Sequence, residues 1–287
     1  MQVTSLQDAE KRPRRVAVGT FDGVHLGHRE VIAGADTVLT FYPHPSMVVA
    51  PSHTPKLLTS LDTKIDLIAE LGVEEMVVIT FDREFAQRSA QEFVDDILVG
   101  SLGATHVSVG ENFRFGHKAQ GGPALLVADE RFETRVVALL EVDGEVVSSS
   151  HIRGLVLAGE VEQAARFLGA PFQMRGEVVH GDGRGRELGF PTANLVPDDA
   201  LVCPGHGIYA CRADGRKAAV NVGVRPTFES GRGELVEAYL LDTDEDLYGH
   251  ELKIEFLQRL RGERRFASVE ALTEQMARDV DEVRRRV

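Results

Sequence analysis

The feature that most constrains the fold is a change of pattern at Gly169-Ala170-Pro171. Before it, strand-like and helix-like segments alternate. After it, short strands succeed one another between Gly-rich turns. Alternation of the first kind builds a mostly parallel sheet with crossover helices, whereas succession of the second kind builds a small antiparallel barrel. A chain of 287 residues also exceeds what one core usually serves. The expectation is therefore an α/β domain over residues 14–168 and a β-barrel domain over residues 171–287, with no internal repeat relating them.

Residues 16–19 read as a strand running into a Gly-rich turn, and residues 38–41 as a second strand ending at Pro43 and Pro45. A helix with Leu61, Ile65, Ile68 and Leu71 on one face follows, stopped by Gly72. Residues 76–80 and 107–109 give two more strands, and between them Ser89 and Glu92 form a capping box for a helix carrying Phe93, Ile97 and Leu98. Residues 136–142 and 145–147 flank Asp143-Gly144, which predicts a hairpin. One helix is expected from about Ser150 to Leu168. Near the end, Ser268 can cap a helix with Val269, Leu272, Met276, Val280 and Val283 on one stripe, expected to pack on the barrel.

The charge balance narrows the function. A formal net charge of −13 opposes a polyanion, so no nucleic-acid partner is expected and any phosphate ligand must be held by local donors. The basic runs at Arg12, Arg14 and Arg15 and at 284–286 are read as solvated tails without function. No apolar run approaches the roughly 20 residues of a membrane span, and the first fifteen residues lack the apolar core of a signal peptide. No membrane association is expected, and the cytoplasm is the default location. Cys203 and Cys211, the only cysteines, show no metal-ligand spacing and are expected to be buried neutral thiols. Oligomeric state is not legible.

In the first domain the densest chemical signal is G-T-F-D-G-V-H-L-G-H at residues 19–28, where a strand gives way to a helix start. Backbone N–H groups there attract anions, and glycines let a phosphate chain approach the main chain. Gly19, Phe21, Asp22, Gly23 and Gly27 thus become nucleotide-binding candidates. His25 and His28, three apart, point to one side and can donate to phosphate oxygens as charge builds on a leaving group. A metal-binding histidine pair is the alternative, but it needs a third ligand.

This stretch resembles the H-x-G-H signature of the nucleotidyltransferase superfamily, and its F-D-G-V-H-L-G-H form resembles bacterial FAD synthetases. Three further segments resemble that family in order: T-F-Y-P-H-P at residues 40–45, G-E-N-F-R-F-G at 110–116 and S-S-S-H-I-R at 148–153. The resemblance implies a Rossmann-like parallel sheet and a flavin-side role for Asn112, Phe113 and Arg114. Ser148, Ser149 and Ser150 offer hydroxyl and backbone donors, and Arg153 a planar fork, for nucleotide phosphates. Serines also cap helices, and residues 40–45 can be a rigid turn with an incidental His44. Two departures stand out: only residues 29–37 separate the H-x-G-H from the T-F-x-P-H-P strand, so the first helix must be short, and the family's S-S-T is S-S-S here. No P-loop is present. The implied reaction attacks the α-phosphorus of ATP with the FMN phosphate, already an anionic nucleophile, so alignment and neutralisation of pyrophosphate by His25, His28, Arg153 and Mg²⁺ suffice.

In the second domain, residues 181–195 form a glycine-dense loop running into P-T-A-N. Glycines such as Gly181, Gly185 and Gly189 permit backbone that wraps phosphates, ahead of Pro191. The stretch resembles the riboflavin kinase signature, as do G-I-Y-A at 207–210, N-V-G-V-R-P-T-F at 221–228 and V-E-A-Y-L-L-D at 236–242. The chain as a whole is thus similar to the bacterial bifunctional riboflavin kinase/FAD synthetase family. Phosphorylating the neutral riboflavin hydroxyl needs a base. Glu237, on the polar face of a strand whose other face carries Val236, Ala238 and Leu240, matches the family's catalytic glutamate. The resemblance assigns Thr192 and Asn194 to Mg²⁺ bridging ATP phosphates; both can equally stabilise a turn. ATP is the co-substrate, with riboflavin, FMN and FAD as substrates or products. Competing readings are a kinase with an adenylylation-deficient first domain, a non-catalytic flavin sensor, and another H-x-G-H transferase.

Overall fold

A computed structural model describes residues 1–180, 188–227, 231–243 and 245–287. The chain divides into two compact units, Met1–Ser149 and Ser150–Val287. In the first, β1 (Gln2–Ser5), β2 (Arg14–Val18), α1 (Leu26–Ile32), β3 (Thr37–Tyr42), α2 (Pro45–Val49), α3 (Leu61–Ala69), β4 (Glu75–Thr80), α4 (Ala90–Glu92), β5 (Ala104–Gly110), α5 (Pro123–Val127), β6 (Glu133–Val137) and the short pair β7 (Glu141–Val142) and β8 (Glu145–Val146) follow in order. Six strands pair in parallel in the order β1-β4-β3-β2-β5-β6.

Strand alternation divides the core. Val16, Val18, Leu39, Phe41, Val77 and Val107 pack on one face against Phe93, Ile97 and Leu98. Ala17, Val38 and Met76 pack on the other against Val31, Ile32 and Ile68 of α1 and α3. The chain winds outward from β2 through β3 to β4, then returns to β5 on the opposite side of β2. That reversal opens a crevice beyond the carboxyl ends of β2 and β5, the place where open α/β sheets bind ligands. Residues 19–28 and Asn112 both emerge there.

Several local expectations change. The start is not a solvated tail: β1 joins the sheet edge, and Arg14, only 1% exposed, donates to Glu75 at 2.9 Å beside Arg12 at 3.0 Å. A buried guanidinium is tolerable because Glu75 and the carbonyls of Glu10 and Leu102 satisfy it. The Ser89–Glu92 capping box is present, but the helix it opens widens into a π-helical run, Phe93–Ser101. Residues 136–142 are not one strand. Val137 ends β6, and Asp143 (φ 53) and Gly144 (φ 81) turn the separate pair β7–β8. The uninterrupted apolar run there carries no period that could mark the break.

In the second unit, α6 (Ser149–Ala158, its first residue belonging to the first unit) and α7 (Val161–Leu168) precede β9 (Phe172–Val179), β10 (Ala193–Leu195), β11 (Gly207–Ala213), β12 (Arg216–Thr227), β13 (Gly231–Leu240), β14 (Glu251–Arg261) and α8 (Val269–Arg286). The six strands close an antiparallel barrel in the order β10-β13-β12-β11-β14-β9. Tyr209, Cys211, Val220, Val236, Ala238, Ile254 and Phe256 fill it, and both cysteines are buried thiols.

The helix expected to run unbroken to Leu168 is broken at Gly159 (φ +78), where a Cβ would lie 2.6 Å from the Tyr209 hydroxyl. That close approach, with Arg259 donating to the carbonyl of Ala158 at 3.2 Å, fixes the end of α6 against the barrel. Ser268 caps α8 as expected. Its stripe is only half used: Val280 and Val283 pack on Ala210 and Leu241, while Val269 is 58% exposed. The Arg261–Asp279 ion pair at 2.6 Å pins the helix through its second half. The arginines at its end are helical, Arg285 and Arg286 pairing with Glu282 and Arg284 with Asp242, and so are no tail.

Candidate active sites

Residues 19–28 of the first unit form a tight turn stabilised from both ends. Phe21 (φ 50) and Val24 (φ 42) take left-handed backbone that L-residues avoid, and both side chains are buried. Gly19 gives the Phe21 ring its place, since a Cβ would stand 3.0 Å from it. Asp22, proposed to touch nucleotide, instead turns inward. Its Oδ1 accepts the backbone N–H groups of Leu58 at 2.8 Å and Thr59 at 3.2 Å, while the Gly23 N–H donates to Thr59 Oγ1 at 3.1 Å. These bonds tie the carboxylate into the turn.

His25 is the N-cap of α1, its Nδ1 accepting the His28 N–H at 3.2 Å. The two imidazoles stack with centroids 3.5 Å apart, and Phe21 meets His28 edge-on at 5.4 Å. Gly27 makes room, because a Cβ would press on His25 Cε1 at 3.3 Å. Burial pushes the His25 pKa down to about 4. Burial, then His25 and then Lys64, holds His28 well below the usual histidine range. Both rings are therefore neutral at pH 7.

Ser149 Oγ donates to the carbonyl of Asp22 at 2.9 Å, joining the serine run to the turn. Ser148 also folds with the first unit, whereas Ser150 and Arg153 belong to the second. Asn112 is exposed just past the end of β5, and Phe113 stacks on Phe115 at 5.4 Å. Arg114 folds back, donating to the carbonyl of Phe113 at 3.0 Å beside Gly122. His44 caps α2 through Ser46.

Sequence reasoning passed over Lys64. It lies between Leu61 and Ile68 on the apolar stripe of α3, and a lysine at an apolar position is the signal that could have found it.

In the second unit, pairing places Asn194 of β10 and Asn221 of β12 directly either side of Glu237 on β13. Asn221 Nδ2 donates to Glu237 Oε2 at 3.0 Å. Asn221, within a segment matched to the family but assigned no role, was missed; only strand register brings it to Glu237. Asn194 is 7% exposed and donates to the Thr192 carbonyl at 3.4 Å. Thr192 stands just before β10 and lines, with Pro191, Val178, Ala238, Leu240 and Tyr248, a cavity of about 390 Å³. Gly189 (φ +84) turns the chain into this segment. Gly181 and Gly185 lie outside the described residues. The row Asn194–Glu237–Asn221 sets a carboxylate between two amides on the strand face opposite Ala238 and Leu240, an arrangement suited to taking a proton from a bound hydroxyl. Among the described residues no cluster of His, Cys, Asp and Glu forms a metal site of its own.

Comparison with known proteins assigns each unit. The FAD synthetase family model matches residues 7–151, and the riboflavin kinase family model matches residues 168–287. A Bacillus subtilis protein named bifunctional riboflavin kinase/FMN adenylyltransferase is 38% identical over 287 residues, covering 93% of this chain and 90% of its own. The protein of that name from Escherichia coli K12 is 36% identical over 295 residues, covering 96% and 94%. A crystal structure from Streptococcus pneumoniae, named as a macrolide-efflux protein, superposes with a TM-score of 0.89 at 30% identity, covering 99% of both chains. Among the described residues no helix is long and apolar enough to cross a membrane.

Proposed function

Because the chain belongs to the bifunctional riboflavin kinase/FMN adenylyltransferase family, we propose that it converts riboflavin to FMN in its second unit and FMN to FAD in its first, with ATP as co-substrate of both reactions. The observation that carries this reading is the coexistence of two different constellations in two different folds: a neutral histidine pair on a glycine turn, and a glutamate held between two asparagines of neighbouring strands.

In the kinase reaction Glu237 removes the proton of the riboflavin primary hydroxyl as that oxygen attacks the γ-phosphorus and ADP departs. Asn221 occupies one carboxylate oxygen, which orients the other toward the hydroxyl. Thr192 and Asn194 offer a hydroxyl and an amide oxygen, hard donors suited to Mg²⁺ shared with ATP phosphates; the ion would offset phosphate charge. Gly189 and Pro191 shape the approach of the phosphates.

In the adenylyl reaction an FMN phosphate oxygen bonds to the α-phosphorus of ATP and pyrophosphate leaves. No base is needed. His25 carries its proton on Nε2, since Nδ1 accepts a hydrogen bond, and donates it toward the phosphates. The turn N–H groups, Ser148 and Ser149 supply further donors. Asn112, Phe113 and Arg114 contribute to the flavin side. The enzyme acts on small molecules in the cytoplasm, without nucleic acid or membrane.

The test is chromatography of the purified chain incubated with riboflavin, ATP and Mg²⁺, and separately with FMN, ATP and Mg²⁺. FMN followed by FAD is expected. FMN alone would reduce the protein to a kinase, and no product from either substrate would remove both activities.

A further inference from the structure

Beneath the turn at residues 19–28 the first unit buries a lysine. Lys64 is 6% exposed. Its ammonium donates to the carbonyl oxygen of Thr20 at 2.7 Å, an oxygen that also accepts from Thr40 Oγ1 at 3.3 Å. The same stretch of chain grips the turn twice more, through Leu58 and Thr59 on Asp22 and through Thr59 on Gly23. These attachments lie on both sides of Phe21, whose left-handed backbone needs to be held by its surroundings. Packing alone does not account for a lysine here: methionine or leucine would fill the stripe between Leu61 and Ile68 without desolvating a charge. The groups facing the ammonium are Asp22, which favours its charge, and His28, whose protonation it opposes. Burial draws the lysine down to about 8, so it is largely charged at pH 7.

We propose that Lys64 is a positioning residue for adenylyl transfer. Its ammonium fixes the Thr20 carbonyl, and with it the turn that aims His25, His28 and the backbone donors. It also places a positive charge behind the donors that face the departing pyrophosphate. The proposal rests on the adenylyl reading of this unit and assigns a role to a residue outside the turn itself.

The test uses the full chain as wild type, Lys64→Met, Lys64→Gln and Lys64→Arg. Both reactions are followed at steady state, and the imidazoles are titrated by NMR. Lys64→Met is expected to lower kcat for FAD formation on the order of 100-fold, the scale of a small misplacement of reacting groups, with the KM for FMN little changed. Riboflavin phosphorylation should be unchanged, Lys64→Arg should recover part of the rate, and His28 should titrate at higher pH without the lysine. A folded Lys64→Met variant with the wild-type kcat, or with an unaltered His28 titration, would overturn the proposal. Should that variant fail to fold, Lys64→Gln decides by the same two readings. Wild-type protein that makes no FAD would instead overturn the adenylyl reading itself, and the proposal with it.

Discussion

His25 Nδ1 accepts the backbone N–H of His28 at 3.2 Å, and the two imidazoles lie nearly parallel with centroids 3.5 Å apart. One hydrogen bond therefore caps α1, fixes the tautomer of His25 and stacks the rings. Burial lowers the pKa of both groups, and for His28 the nearby His25 adds to it, since two imidazolium charges at that spacing would repel. The pair stays neutral at pH 7.

Stability should follow from this. His25 titrates near 4 when folded and near 6.5 when unfolded, so between those values the unfolded chain binds more protons. The stabilising contribution is complete above about pH 6.5 and is lost as pH falls toward 4, amounting to on the order of 3 kcal/mol for this group. Denaturant unfolding of the first unit, followed across that range, should show the decline. The doubly substituted His25→Gln, His28→Gln protein should show a flatter profile.

Asp22 is predicted to act through the turn and not on the nucleotide. Asp22→Ala strips the acceptor from two backbone N–H groups and should cost on the order of 2 kcal/mol. FAD formation should fall while FMN formation persists, as product chromatography and denaturant unfolding of the same samples would show. A variant with undiminished FAD formation would contradict the role.

Asn221→Ala removes the amide that donates to the Glu237 carboxylate. The expected result is a fall of about tenfold in kcat for riboflavin phosphorylation, the lower part of the range for a disturbed general base, with the KM for ATP nearly unchanged. FAD formation from supplied FMN should not respond.

The sequence made some of this legible and not the rest, for physical reasons. The turn at residues 19–28, the Ser89–Glu92 cap and the Asp143-Gly144 turn each depend on neighbours within a few residues, and they are where local chemistry places them. The break at Gly159 depends on Tyr209, fifty positions along the chain, and no local pattern announces it. Arg14 looked like part of a basic tail because its partner Glu75 lies across the sheet. Asn221 meets Glu237 only through the register of β12 on β13. Asp22 shares the motif of the phosphate turn, yet its Oδ1 accepts from residues 58 and 59. Motif membership marks a loop; it does not separate residues that could face a ligand from residues that hold the loop.

The central claim is that two independent sites act in sequence, and the most direct measurement pairs Glu237→Gln with His28→Ala in the full chain and assays each for both reactions. The account predicts reciprocal losses: Glu237→Gln forms little FMN, down roughly 100-fold or more, yet still converts supplied FMN to FAD. His28→Ala forms FMN and accumulates it. A folded variant of either kind that lost both reactions would contradict the two-site account.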